Sequence, residues 1–172
     1  MPILDVARYA IAAGFSLVLL WAATTDIVSR IIPNRAVLTL LGLFVLWALA
    51  GKGASLGPDL LAGSIALAVG YLFYAFKVMG GGDAKLFAAT ALFTGLGYLP
   101  ALALTTVLAG GVIAAVALAA KPRRAAAMLT LRGKGDFGRG VPYGVAIAIG
   151  GVYVLWGAML GNLTPYSLPW AA

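Results

Sequence analysis

Residues 86–120 read LFAATALFTGLGYLPALALTTVLAGGVIAAVALAA, without one charged side chain. A helix that crosses a bilayer needs about 17–25 mostly apolar residues, so this run is too long for one ordinary span. Gly95, Gly97 and Pro100 punctuate it, and such residues mark a turn rather than a helix interior. The run therefore reads as two helices, Leu86–Leu99 and Ala101–Ala120. Working outward, four more apolar spans appear at Tyr9–Thr25, Ala36–Ala50, Leu60–Phe76 and Val141–Leu160. The spans at Ala36 and Leu86 are short and must recruit flanking residues, with Lys or Arg snorkelling to the interface.

The charges check that division. With six spans and the N-terminus outside, Arg30, Arg35, Lys77, Lys85, Lys121, Arg123, Arg124, Arg132, Lys134 and Arg139 face the cytoplasm. Only Arg8 and Lys52 lie outside, ten cations against two, as the positive-inside rule requires. Merging the two helices of the long run would move the six-cation loop to the other side. Asp5 beside a single Arg8 makes no basic n-region, so the first span reads as a retained helix rather than a cleaved signal.

Composition agrees. Of 172 residues 63% are apolar and 10% charged, whereas a soluble domain carries about 25% charged residues. A soluble enzyme and a disordered chain are both excluded. The chain has no Cys and no His. Disulfides, thiolate metal sites, cysteine nucleophiles and histidine bases are therefore excluded, and neither metal nor cofactor is expected. The expected fold is an all-α polytopic helical bundle, with residues 1–172 forming one transmembrane domain and no separate soluble domain.

The hydrophilic chemistry then rests on five acids, all Asp. Asp5 and Asp59 fall at outer helix ends and read as solvated interfacial residues or N-caps. Asp136 lies in GKGDFG, whose matches to nucleotide-binding and kinase strings lack the required strand and helix context. Asp26 and Asp83 differ. Asp26 ends the first span in TTDIVSRIIPNR, and Asp83 opens the fourth in MGGGDAKL. Both fall at the cytoplasmic boundary, at one depth, on different helices. An ionisable residue there is a functional candidate by default. The competing structural reading pairs each with a cation, Arg30 or Lys85.

At these two strings the chain resembles the type IV prepilin peptidases, membrane aspartic proteases of the GxGD kind. In that family the first catalytic Asp is followed by Ile-Pro-Asn, here Asp26 and then Ile32-Pro33-Asn34. The second lies in a Gly-rich string, here Gly80-Gly81-Gly82-Asp83-Ala84-Lys85. A third family-like string, Pro142-Tyr143-Gly144, opens the last helix. The resemblance implies Asp26 and Asp83 as catalytic residues. It also implies Arg30, Pro33, Asn34, Gly80, Gly81, Gly82, Lys85, Pro142, Tyr143 and Gly144 as residues that shape the site or bind substrate. Larger members carry an N-terminal domain with paired Cys-x-x-Cys motifs and N-methylate the mature pilin. The absence of Cys argues against that second activity, and the short form looks like the peptidases of Flp-type (tight adherence) pili. The implied substrate is a prepilin with a short basic leader and a hydrophobic helix bearing a Glu, cut at the cytoplasmic face of the bacterial inner membrane. Arg30 or Lys85 would pair with that Glu.

Independently of the family, two carboxylates suffice to hydrolyse a peptide. One takes a proton from water while the other hydrogen-bonds the scissile carbonyl, and like charges this close share one proton. Asp26 at a helix C-terminus is expected to be the acid, and Asp83 at a helix N-terminus the base. Gly80–Gly82 let backbone approach closely, either to another helix or to an extended peptide. They are expected to give such a peptide a flat, side-chain-free wall, and to adopt backbone conformations closed to other residues, with Gly82 the most sensitive position. The alternative function is a small proton-coupled transporter with Asp26 and Asp83 as a relay. Its usual inverted repeat is missing, because the break at Gly80–Gly82 has no twin in the first half.

The remaining features read as structural. Ala62, Ala66 and Gly70 form a small-residue stripe for close helix packing, with a homodimer face as the alternative. Trp21, Trp47, Trp156 and Tyr98 suit membrane interfaces and packing. The basic segment Lys121–Gly140 suits anionic lipid head groups. It does not suit nucleic acid, since interleaved aromatics and a folded module are lacking.

Overall fold

Proline, glycine and two left-handed residues set the helix ends in the structure, a computed structural model that describes residues 3–52, 56–120 and 142–166. Helix α1 (Ile3–Ser29) stops where Arg30 takes a φ of 56°. Pro33, held in extended backbone, opens α2 (Asn34–Trp47), which runs on into a π-helical turn at Ala48–Lys52. Helix α3 (Leu56–Ala75) ends in a Schellman turn. There Val78 N–H donates to Phe73 O at 2.8 Å and Lys77 N–H to Tyr74 O at 2.9 Å, with Lys77 at φ 57°.

Helix α4 (Gly81–Thr94) begins after Gly80 and stops at Gly95, whose φ 73°, ψ 174° only glycine adopts without strain. A 3₁₀ turn at Leu96–Tyr98 leads into α5 (Leu99–Ala120). Helix α6 (Tyr143–Met159) follows Pro142 and closes on a second Schellman turn, with Gly161 at φ 74°.

The fold is all-α, as the apolar periods imply, and the long apolar run divides at Gly95. The fourth helix is displaced from its expected range of Leu86–Leu99. Apolarity begins at Leu86, but the first turn is made by Gly81, Gly82 and Asp83, and Gly95 ends the helix early. Among the described residues three stretches are long and apolar enough to cross a bilayer, Asp5–Ser29, Leu56–Ala75 and Leu96–Ala117. The others are shorter, and at 1.5 Å per residue the 14 residues of α4 extend only about 21 Å. The basic segment 121–140 and Asp136 lie outside the described residues.

Short α4 nonetheless organises the bundle, packing against α2, α3 and α6. Its Leu86, Ala89 and Phe93 join a core with Phe15 and Leu19 of α1, Leu40 and Phe44 of α2 and Ile147 of α6. The stripe Ala62, Ala66 and Gly70 is buried, and its partner is α4. A β-carbon added at Gly70 would stand 2.9 Å from that of Ala84. The stripe is thus used within the chain and offers no face to a second copy. The outer surfaces carry exposed Leu17, Leu20, Leu60, Leu72, Phe76, Leu104 and Val107, an apolar exterior suited to lipid rather than water.

Candidate active site

Asp26 lies in the last turn of α1 and is 6% exposed. A buried carboxylate needs a donor, and one arrives from a distant part of the chain. Gly144, in the first turn of α6, donates its N–H to Asp26 Oδ2 at 2.8 Å. Contact is close because residue 144 has no side chain: a β-carbon there would lie 2.9 Å from Oδ2 and 3.0 Å from the Asp26 β-carbon. Arg30, one turn beyond Asp26, lies within electrostatic reach of it.

Asp83 is the third residue of α4 and is half-buried. The N–H of Gly80, the capping residue, donates to its carboxylate, which is the acidic half of a capping box. The charge of Asp26 also acts on Asp83. The two acids expected from the two strings are therefore brought together, at the C-terminal end of one helix and the N-terminal end of another. Each accepts one backbone N–H, so hydrogen bonding does not separate an acid from a base.

The three glycines each meet an atom of the chain itself. A β-carbon at Gly80 would lie 2.8 Å from Asp83 Oδ2, one at Gly81 3.4 Å from the Tyr74 ring, and one at Gly82 3.2 Å from the Ile32 β-carbon. None of the three has positive φ, and Gly80 is ordinary extended backbone at φ −70°, ψ 147°. The expected special backbone conformations are therefore absent, while the expected close approach is present, here to the chain's own Ile32, Tyr74 and Asp83. The loop after α1 accounts for this. The left-handed turn at Arg30 and the rigid Pro33 fold buried Ile32 onto Gly82, while Asn34 starts α2.

Lys85 is exposed, and among the described residues no ion pair joins it to Asp83. Pro142 caps α6, and the Tyr143 ring lies near Gly110 of α5. Ile32 and Tyr74 are the site neighbours that sequence reasoning missed. Ile32 belongs to the Ile32-Pro33-Asn34 string but has no polar group to mark it, and nothing in the sequence marks Tyr74. Among the described residues no group of three or more His, Cys, Asp or Glu gathers to hold a metal ion. Two carboxylates within electrostatic reach of each other, one buried and one half-buried, are the kind of pair that can share a proton and polarise a water or a carbonyl.

Apolar helices with this exterior define a helical membrane protein. The chain belongs to the type IV leader peptidase family, whose family model matches residues 13–115, and it is a peptidase. That match takes in both Asp26 and Asp83, while Pro142-Tyr143-Gly144 lies beyond it. No curated protein sequence and no solved structure matches the chain.

Proposed function

We propose that the protein is an aspartic endopeptidase that removes the short basic leader from Flp-like prepilins, with Asp26 and Asp83 as its catalytic pair. The observation that supports this reading is that these two acids, on helices far apart in sequence, lie within electrostatic reach of each other. Between them the pair holds one proton. The ionised carboxylate takes a proton from a water placed between the two, and the hydroxide attacks the scissile carbonyl. The protonated carboxyl hydrogen-bonds the developing oxyanion. Collapse of the tetrahedral intermediate breaks the C–N bond, and the proton taken from water passes to the leaving amine.

Gly144 N–H orients Asp26 and Gly80 N–H orients Asp83, so neither carboxylate must reorganise during the reaction. Exposed Lys85 and Arg30 are cations on which a substrate Glu can dock. The ten-to-two distribution of cations supports six spans and a cytoplasmic site in the bacterial inner membrane. Co-expression with a candidate Flp-type prepilin tests the reading. Wild type removes the leader, whereas Asp26→Asn and Asp83→Asn accumulate full-length prepilin at equal enzyme levels in the membrane. Leader removal by either variant at near the wild-type rate would overturn it.

A further inference from the structure

A cavity of about 480 Å³ opens at the end of the bundle opposite Asp26 and Asp83, within the range of ligand pockets. It lies among the first turns of α1, the last turns of α2, α4 and α6, and the turn at Tyr98. Asp5 lines it, and Asp5 and Asp26 are separated along α1 by roughly 30 Å at 1.5 Å per residue. That is about the thickness of the hydrocarbon core, so a bundle spanning a bilayer with Asp26 at one headgroup level holds this cavity at the other.

Its lining combines three chemistries. Asp5 and Arg8, one helical turn apart and both half-buried, bring one negative and one positive group. Tyr9, Trp47 and Tyr98 bring aromatic surface, and Phe93, Leu155 and Met159 an apolar wall. We propose that this cavity binds the headgroup of a zwitterionic phospholipid, phosphatidylethanolamine. A guanidinium suits the phosphate diester. A carboxylate with aromatic surface beside it suits the ammonium. The short spacer between the two charges in ethanolamine phosphate matches one helical turn between Asp5 and Arg8. The apolar wall takes the start of the acyl chains, which favours an amphiphile over a free solute. Because the lining comes from four helices, the lipid ties their outer ends together. The inference rests on the membrane placement of the bundle and not on the peptidase reading.

The test uses the full chain purified in detergent micelles doped with phosphatidylethanolamine, with phosphatidylglycerol, or with soluble glycerophosphoethanolamine. Bound lipid is counted by native mass spectrometry, and the unfolding temperature is followed in parallel. Phosphatidylethanolamine is expected to be retained at one molecule per chain and to raise Tm by roughly 5 °C, with the other two additives giving under a third of that rise. Asp5→Asn and Arg8→Gln should each remove most of the lipid-induced increment, read against each variant's own lipid-free Tm. Equal increments from phosphatidylethanolamine and phosphatidylglycerol would overturn the proposal. So would an equal effect of the soluble headgroup, or the absence of retained lipid on wild type, which needs no variant to fold.

Discussion

Asp26 and Asp59 stand at opposite ends of the bundle in outwardly similar places. Both are buried, at 6% and 2% exposure, and each lies against a glycine whose added β-carbon would run into the carboxylate, Gly144 for Asp26 and Gly95 for Asp59. They differ in what else meets them. Asp26 lies within electrostatic reach of a second carboxylate, Asp83. Asp59 faces the turn between α4 and α5, where Gly95 holds a φ of 73°. Burial and a close glycine are therefore common to both ends. A second acid within electrostatic reach is what sets Asp26, the acid proposed as catalytic, apart, while Asp59 lies against the turn at Gly95.

The largest effects should separate these two ends. Asp26→Asn and Asp83→Asn are each expected to lower the rate of leader removal by about a thousandfold or more, because each removes half of a pair that acts as a unit. Asp59→Asn should keep that rate within about threefold per folded molecule and appear instead as a lower Tm, the cost of disturbing a buried polar group being about 1–3 kcal/mol. The comparison breaks if Asp59→Asn stops cleavage while leaving Tm unchanged.

The glycines give the next largest contrast. Gly144→Ala pushes a methyl group to within 2.9 Å of Asp26 Oδ2, and Gly80→Ala does the same to Asp83. Both should cost more than tenfold in kcat, about 1.4 kcal/mol of barrier, with little change in KM. Gly95→Ala combines collision with a backbone conformation closed to alanine, so it should lower Tm and spare kcat. A fall in Tm at Gly144 as large as that at Gly95, with kcat intact, would erase the distinction between the two ends.

Much of this contrast could be read from sequence, and the remainder has identifiable physical causes. Gly95, Gly97 and Pro100 announced the turn because glycine and proline act locally. Asp26 and Asp83 stood out because each broke an apolar pattern at the same expected depth. The burial of Asp59 was not legible. Beside Gly57 and Pro58 it looks like any interfacial helix start, and its close neighbour is Gly95, in the turn that ends α4. The Gly144 N–H likewise reaches Asp26 from far along the chain, with no local sign of the pairing. The start of α4 is not legible because apolarity begins only at Leu86, whereas the helix begins where Gly80 caps it. Of the two things expected of the glycines before Asp83, close approach is present, whereas special backbone conformations are not, since their φ values are ordinary. What they supply is room for Ile32, Tyr74 and the Asp83 carboxylate, and room depends on neighbours that local sequence does not name.

Gly82 offers the smallest and sharpest test of that correction. If it is a wall for substrate, adding bulk there harms catalysis whatever stands at residue 32. If it is a seat for Ile32, the harm comes from the 3.2 Å approach of the two side chains and should ease when Ile32 is cut back. Gly82→Ala should lower kcat/KM severalfold and Gly82→Val by more than tenfold, because the displaced loop carries Arg30 and the end of α1 and so moves Asp26. Ile32→Ala alone should cost severalfold through the cavity it leaves. In the double variant Gly82→Ala with Ile32→Ala the added methyl enters that cavity, so the combined loss should be several times smaller than the product of the two single losses. That is a coupling of about 1 kcal/mol, within the range found for residues in contact. Initial rates of leader removal for the four proteins of this cycle decide between the two roles. Losses that simply multiply would return Gly82 to the substrate side of the site.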